Sequence, residues 1–215
     1  WMYQPDLLTA YSHDQAAAQG LLEADGWQLG EGATIRQQDG VPLELNLVTL
    51  GQHEQLASAI RQQWGELGIA VNVVAVADSI ALREQLDTQA FSVALFDVVP
   101  TIDPDLYDFW SQEAIVRGQN YGGWNQRRAS EALESGRQLW DVGERRPFYQ
   151  TFLRLYDDDL PALPLYQHLN TYALSTDVNH AEIGKIDAPR DRYATFADWF
   201  MLYRDVTVAC PQVDS

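Results

Sequence analysis

The chain has 215 residues, of which 46% are hydrophobic and 11% aromatic, with a formal charge of −17. Such a content excludes a disordered chain and supports one large domain or two small ones. The charge excludes nucleic acid and anionic membrane surfaces as partners, because both demand a basic face.

In chain order, Ser12-His13-Asp14-Gln15 reads as a capping box that opens a helix through Ala24, with Gly26 as its stop. A polar, glycine-bearing turn runs from Gly30 to Gly40. Leu43, Leu45, Leu47 and Thr49 then alternate with Glu44, Asn46 and Val48, which predicts a strand. A helix is expected over His53–Leu67, with Leu56, Ile60, Trp64 and Leu67 on one face and Gly68 at its end. Val71, Val73, Val74 and Val76 form a β-branched strand. Asp78 or Ser79 caps a short helix to about Asp87, and Phe91–Phe96 is a third strand. This β-α-β-α-β alternation predicts parallel strands with right-handed crossovers and covering helices, an α/β fold.

Beyond the third strand lies "DVVPTIDPDLYDFW" (Asp97–Trp110), with acids and aromatics crowded together. Ligands of open parallel sheets sit beyond the carboxyl ends of the strands, so this is where a site is expected. The glycine-rich loop Gly118–Asn125 ("GQNYGGWN") follows, then helices at about Arg127–Asp141 and Glu144–Asp158. The first is expected to bury Leu133, Gly136 and Trp140, the second Phe148, Phe152 and Leu155. Leu163–Leu174 reads as extended, and Phe196–Arg204 is the last coherent piece. Cys210 is the single cysteine, which leaves no internal disulfide and no cysteine metal cluster. The opening Trp1-Met2-Tyr3 reads as the start of a piece of something longer.

Three chemistries compete for the acid-rich stretch. A helix–loop–helix calcium loop starting at Asp103 needs an acid or Asn, a glycine and a glutamate at its fifth, sixth and twelfth positions. The chain offers Tyr107, Asp108 and Ala114. Paired carboxylates for glycoside hydrolysis require a separation that spacing in sequence does not supply. A plainer reading has Asp103 capping a helix whose first residue is Pro104, with Asp105 and Asp108 near its positive end. No Gly-x-Ser-x-Gly elbow, phosphate loop or dinucleotide fingerprint occurs, and His13, His53, His168 and His180 fall in no triad pattern. What remains is a cleft of Tyr, Trp, Phe and acids, as a binder of a small organic ligand or cation would be built.

These segments resemble, in order, the C-terminal part of the family 5 extracellular solute-binding proteins of ABC importers, the oligopeptide, dipeptide and nickel-binding group. The likeness runs through "YSHDQAAAQGLLEADGW", "DGVPLELNLVT", "LASAIRQQWGELGIAVNV", "FSVALFDVVPTIDPDLYDFW", "NYGGWN" and "DLPALPLYQHLNTYAL". The resemblance implies a type II periplasmic-binding-protein fold of two lobes. Residues 1–174 would form the second lobe, and residues 175–215 would return toward the first. It also implies no catalysis, no metal and no cofactor. The partners would be a peptide-sized solute, a sugar or an organic cation, and the permease subunits of an importer. The location would be outside the cytoplasmic membrane, through an anchor elsewhere in the protein, as in a lipoprotein. The expected cleft residues are Phe96, Asp97, Asp103, Tyr107, Trp110, Asn120, Tyr121 and Trp124. One departure stands out. Where peptide-binding members carry an amine-binding aspartate, this chain has Pro100, and Asp97 lies one strand-turn earlier. An acidic hydrolase and a ligand-free interaction domain are the rival expectations.

Overall fold

A computed structural model describes residues 2, 4–98, 103, 105–167, 172–182, 184 and 189–202. The chain divides into two compact units, Trp1–Leu163 and Pro164–Ser215.

The first unit opens with helix α1 (Gln15–Ala24). Asp14 is its cap, its carboxylate accepting the Ala17 N–H at 2.9 Å, and Gly26 follows the helix at φ 98°. The cap therefore sits two residues after the expected Ser12, at the residue whose oxygen reaches the third amide of the helix. Strands β1 (Gln37–Gln38) and β2 (Val41–Pro42) form a small hairpin through Asp39 and Gly40, both at positive φ. The hairpin stands where the sequence predicts only a polar turn.

The sheet follows: β3 (Glu44–Leu50), α2 (Glu54–Glu66), β4 (Ala70–Val76), α3 (Ser79–Asp87) and β5 (Val93–Leu95). Its order is β4-β3-β5, with both pairings parallel; Leu47 faces Val73 on one side and Val93 on the other. All three expected strands are present, and Asp78 caps α3 by accepting the Ile80 and Ala81 amides. Val48 is buried with Leu82 and Leu86 of α3, while Phe96, Phe91 and Tyr121 pack around them. Leu47, next along the strand and so pointing to the opposite face, is equally buried, as is Ala57 of α2. Both faces are covered, which a parallel sheet requires.

Downstream come α4 (Tyr107–Trp110), α5 (Ala114–Arg117), α6 (Arg127–Arg137) and α7 (Val142–Asp159). Helices α6 and α7 pack through Ala129, Leu133, Tyr149 and Phe152. Gly136 makes their close approach feasible: a Cβ there would lie 2.9 Å from the Tyr149 ring. Three expectations need correction. Trp140 is 97% exposed, because α6 stops at Arg137 and leaves it in the connecting turn. Helix α7 buries Phe152 as expected and also Tyr149, while Phe148 and Leu155 are only half-buried. Asp103 caps no helix: α4 begins at Tyr107, and it is Asp105 that accepts the Tyr107 N–H, at 3.1 Å. Pro100 and Pro104 lie outside the described residues.

The second unit contains strands β6 (Val178–Asn179) and β7 (Phe200–Met201), paired antiparallel. Tyr172, Tyr193 and Phe196 cluster around the Trp199 ring. None of the unit's described residues is fully buried. The described part of Leu163–Leu174 joins no strand, and Phe196–Arg204 resolves into a short helical turn and β7 as far as it is described.

Candidate functional site

The eight expected cleft residues fall into three groups. At the carboxyl end of the sheet, Phe96 immediately follows β5 and meets Tyr121 edge-to-face, with ring centres 6.1 Å apart. Asp97, next along, is about half exposed, and its Oδ2 lies 3.1 Å from Nε2 of His53. His53 closes the helical turn Gly51–His53 between β3 and α2, and its side chain is buried. The pair thus joins the carboxyl ends of two adjacent parallel strands. Beside it, Gly51, Gln52, Glu54, Gln55 and Ser58 line an open depression of about 630 Å³.

The second group forms where the acid-rich stretch meets α6 and α7. Asp103 pairs with the buried Arg145 at 2.8 Å, and Asp105 pairs with Arg137 at 2.7 Å. The Arg137 guanidinium stands 4.5 Å over the Tyr107 ring. Burial, then the Glu113 and Glu134 carboxylates, push the Tyr107 hydroxyl above its ordinary range. The paired acids are thereby held by arginines some thirty to forty residues downstream, a link that local spacing does not reveal.

The third group is aromatic. Trp110 and Trp124 meet at 6.1 Å and both contact Tyr156, at 5.1 and 6.0 Å. Burial pushes the Tyr156 hydroxyl up to about 12. The Trp124 indole N–H donates to Asp159, as does the Gln126 amide, and these bonds hold the Asp159 carboxyl below its usual value. Asn120 faces inward at 1% exposure. Its amide donates to the Ser111 and Trp124 carbonyls and accepts the Trp124 N–H. It holds the glycine-rich loop from within, while its neighbour Tyr121 reaches the sheet.

His53, which falls in no triad pattern in the sequence, is a site residue that sequence reasoning missed. The signal available was its position, in the turn that leaves the carboxyl end of the central strand. Among the described residues no group of three His, Cys, Asp or Glu is arranged to hold a metal ion.

With this geometry in hand, comparison with known proteins is informative. The model of the bacterial extracellular solute-binding proteins, family 5 Middle, matches residues 1–115. The chain belongs to that family, a family of transport binding proteins and not of enzymes. Its fold matches the oligopeptide-binding protein AppA of Bacillus subtilis, solved with a nonapeptide, at a TM-score of 0.70 and 20% identity, over 94% of this chain and 40% of that one. NikZ of Campylobacter jejuni, solved with Ni(L-His), matches at 0.64 and 21% identity, over 75% of this chain and 33% of that one. A periplasmic oligopeptide-binding protein of Thermotoga maritima, solved with mannohexaose, matches at 0.64 and 15% identity, over 74% and 32%. The chain thus spans well under half the length of these proteins. A search of curated proteins found no match. No helix among the described residues is long and apolar enough to cross a membrane.

Proposed function

We propose that the whole protein captures a small organic solute outside the cytoplasmic membrane and delivers it to the permease of an ABC importer. This chain would supply one wall of the cleft. The observation that carries the reading is the parallel β4-β3-β5 sheet of a family 5 chain with Asp97, His53, Phe96 and Tyr121 gathered at its carboxyl end. Phe96 and Tyr121 would offer apolar area, and Asp97 a charge. Tyr107, Asp103, Trp110, Trp124 and Asn120 would shape the wall: three through the arginine pairs and the aromatic cluster, Trp124 and Asn120 by setting the loop.

The second unit supports a further part of the reading. Tyr193, Phe196, Phe200, Met201 and Leu202 are all exposed on a unit with no buried residue among those described. Apolar area of that kind marks an interaction surface, and the partner we propose for it is the other lobe. For the ligand, an organic cation or a sugar fits better than a linear peptide gripped by its N-terminus, since Pro100 offers no charge at the position where peptide-binding relatives carry an aspartate.

The test is thermal-shift screening of the full two-lobed protein against amines, sugars and peptides. A ligand that binds only the native state raises the melting temperature. A shift with one class, confirmed by calorimetry and weakened in Tyr121→Ala, supports the reading; no shift with any class refutes it.

A further inference from the structure

The His53–Asp97 contact has a chemistry that narrows the ligand. Nε2 of His53 lies 3.1 Å from the Asp97 carboxylate and 3.2 Å from the Gln52 amide nitrogen. An ionised carboxylate only accepts, so the proton of that contact sits on Nε2. While Nε2 holds that proton it cannot also accept from the Gln52 amide nitrogen; a half-turn of the amide, which exchanges its oxygen and nitrogen, satisfies both contacts. The imidazole thereby donates to Asp97 through Nε2. Burial matters here as well, because a ring packed between β3 and α2 has few rotamers to choose from. Asp97 receives a hydrogen bond from a rigid group, while its side chain keeps 48% of its surface open.

We infer that His53 is a positioning residue which aims the Asp97 carboxylate, and that this carboxylate selects a solute bearing a positive charge. The inference rests on the solute-capture reading above and names the substrate class for the same site. A flexible surface aspartate would lose side-chain freedom on gripping a cation; here the orientation is set before the ligand arrives, which is how preorganisation raises affinity. The ionic part of the contact is charge-assisted and orientation-dependent. The formal charge of −17 adds a second, non-local effect, since it raises the concentration of cations around the protein.

The experiment uses the full two-lobed protein and matched probes that differ only in charge: choline against 3,3-dimethylbutanol, and dialanine against N-acetyldialanine. Affinities are measured by calorimetry for the wild type and for Asp97→Asn, His53→Leu and His53→Gln. Glutamine places an amide N–H near the position of Nε2, so it restores the donor without the ring. The expected result is preference for a charged probe over its neutral partner. That preference falls about tenfold or more in Asp97→Asn and His53→Leu and recovers in His53→Gln. A merely structural histidine would change the melting temperature of His53→Leu and leave the charged-to-neutral ratio untouched, which overturns the inference. Wild-type protein that binds sugars or neutral probes and ignores the charged ones overturns it too, while the solute-capture reading stands. Protein that binds no solute of any class overturns both.

Discussion

Arg145 of α7 and Asp103 of the acid-rich stretch meet at 2.8 Å, and the same guanidinium donates to the Tyr149 hydroxyl at 3.0 Å. Burial works against the arginine charge, and the bonds from Asp103 and Tyr149 more than offset it. Asp103→Asn removes the compensating charge and leaves a buried cation. We expect a loss of about 1–2 kcal/mol, less than for a fully buried pair because the Asp103 side chain is largely exposed. Chemical denaturation of both proteins checks this. Equal midpoints would show that Arg145 does not depend on the Asp103 charge.

Gly136→Ala sets two effects against each other. Alanine gains about 1 kcal/mol over glycine inside a helix. Its Cβ, however, would lie 2.9 Å from the Tyr149 ring, which is fully buried and has nowhere to retreat. Overpacking of that kind costs about 1–3 kcal/mol. We expect net destabilisation, read from the urea midpoint, and recovery when Tyr149 is shortened to leucine in the same chain.

Asn120→Ala removes three hydrogen bonds and leaves the Ser111 and Trp124 backbone groups without their partner. The expected cost is about 2–4 kcal/mol. Because Trp124 belongs to the group most affected, its fluorescence should shift to the red at temperatures below the melt. A variant with wild-type stability and spectrum would show that these bonds do not hold the loop.

Two limbs of the pH–stability curve follow from the shifted groups. Tyr156 is raised from 10.0 to about 12, so the unfolded chain ionises first. Its contribution is complete below pH 10 and is lost as pH rises through about 12. Tyr156→Phe should flatten that alkaline limb. On the acid side, Asp157 is lowered by its bonds from the Thr9 hydroxyl and amide, and Asp159 by Trp124 and Gln126. Their contribution is present above the ordinary carboxylate range and disappears as pH falls through the depressed values. Asp159→Asn should make the acid limb shallower, and an unchanged curve would show that these bonds hold no net free energy.

The isolated chain offers only one wall of the proposed cleft, and a wall alone excludes little water from a ligand. Calorimetry on these 215 residues should detect no sub-micromolar binding of the amines, sugars or peptides that the full protein takes. Tight binding would mean that the chain contains a complete site.

The sheet was legible because its signals are local. Val71–Val76 is β-branched, Leu43–Thr49 alternates, and Asp78 is a strong cap, so the three strands and two helices fall within a few residues of their expected places. The Asp39-Gly40 hairpin was legible in principle, since that dipeptide favours two successive positive φ values. The candidate site was readable only in part. Its location past the third strand follows from topology, and Phe96, Asp97 and Tyr121 do gather at the sheet's end. What periodicity could not supply was the pairing of Asp103 with Arg145 or of Asp97 with His53, each across more than forty residues. The inward turn of Asn120 was hidden for a different reason: an asparagine in a glycine-rich loop looks the same whether its amide serves the backbone or a ligand.

Thr9 gives both its amide and its hydroxyl to Asp157, and Gln4 bonds Gln150, so the first ten residues are fastened to the last long helix of their unit. The partners stand 148 and 146 positions apart. On a ribosome this segment emerges well before the helix it grips and must wait for almost the whole unit before it meets that partner. Contacts of such long range slow folding. The sheet, whose strands arrive within about fifty residues of one another, can assemble during that wait, and the clasp onto α7 closes last.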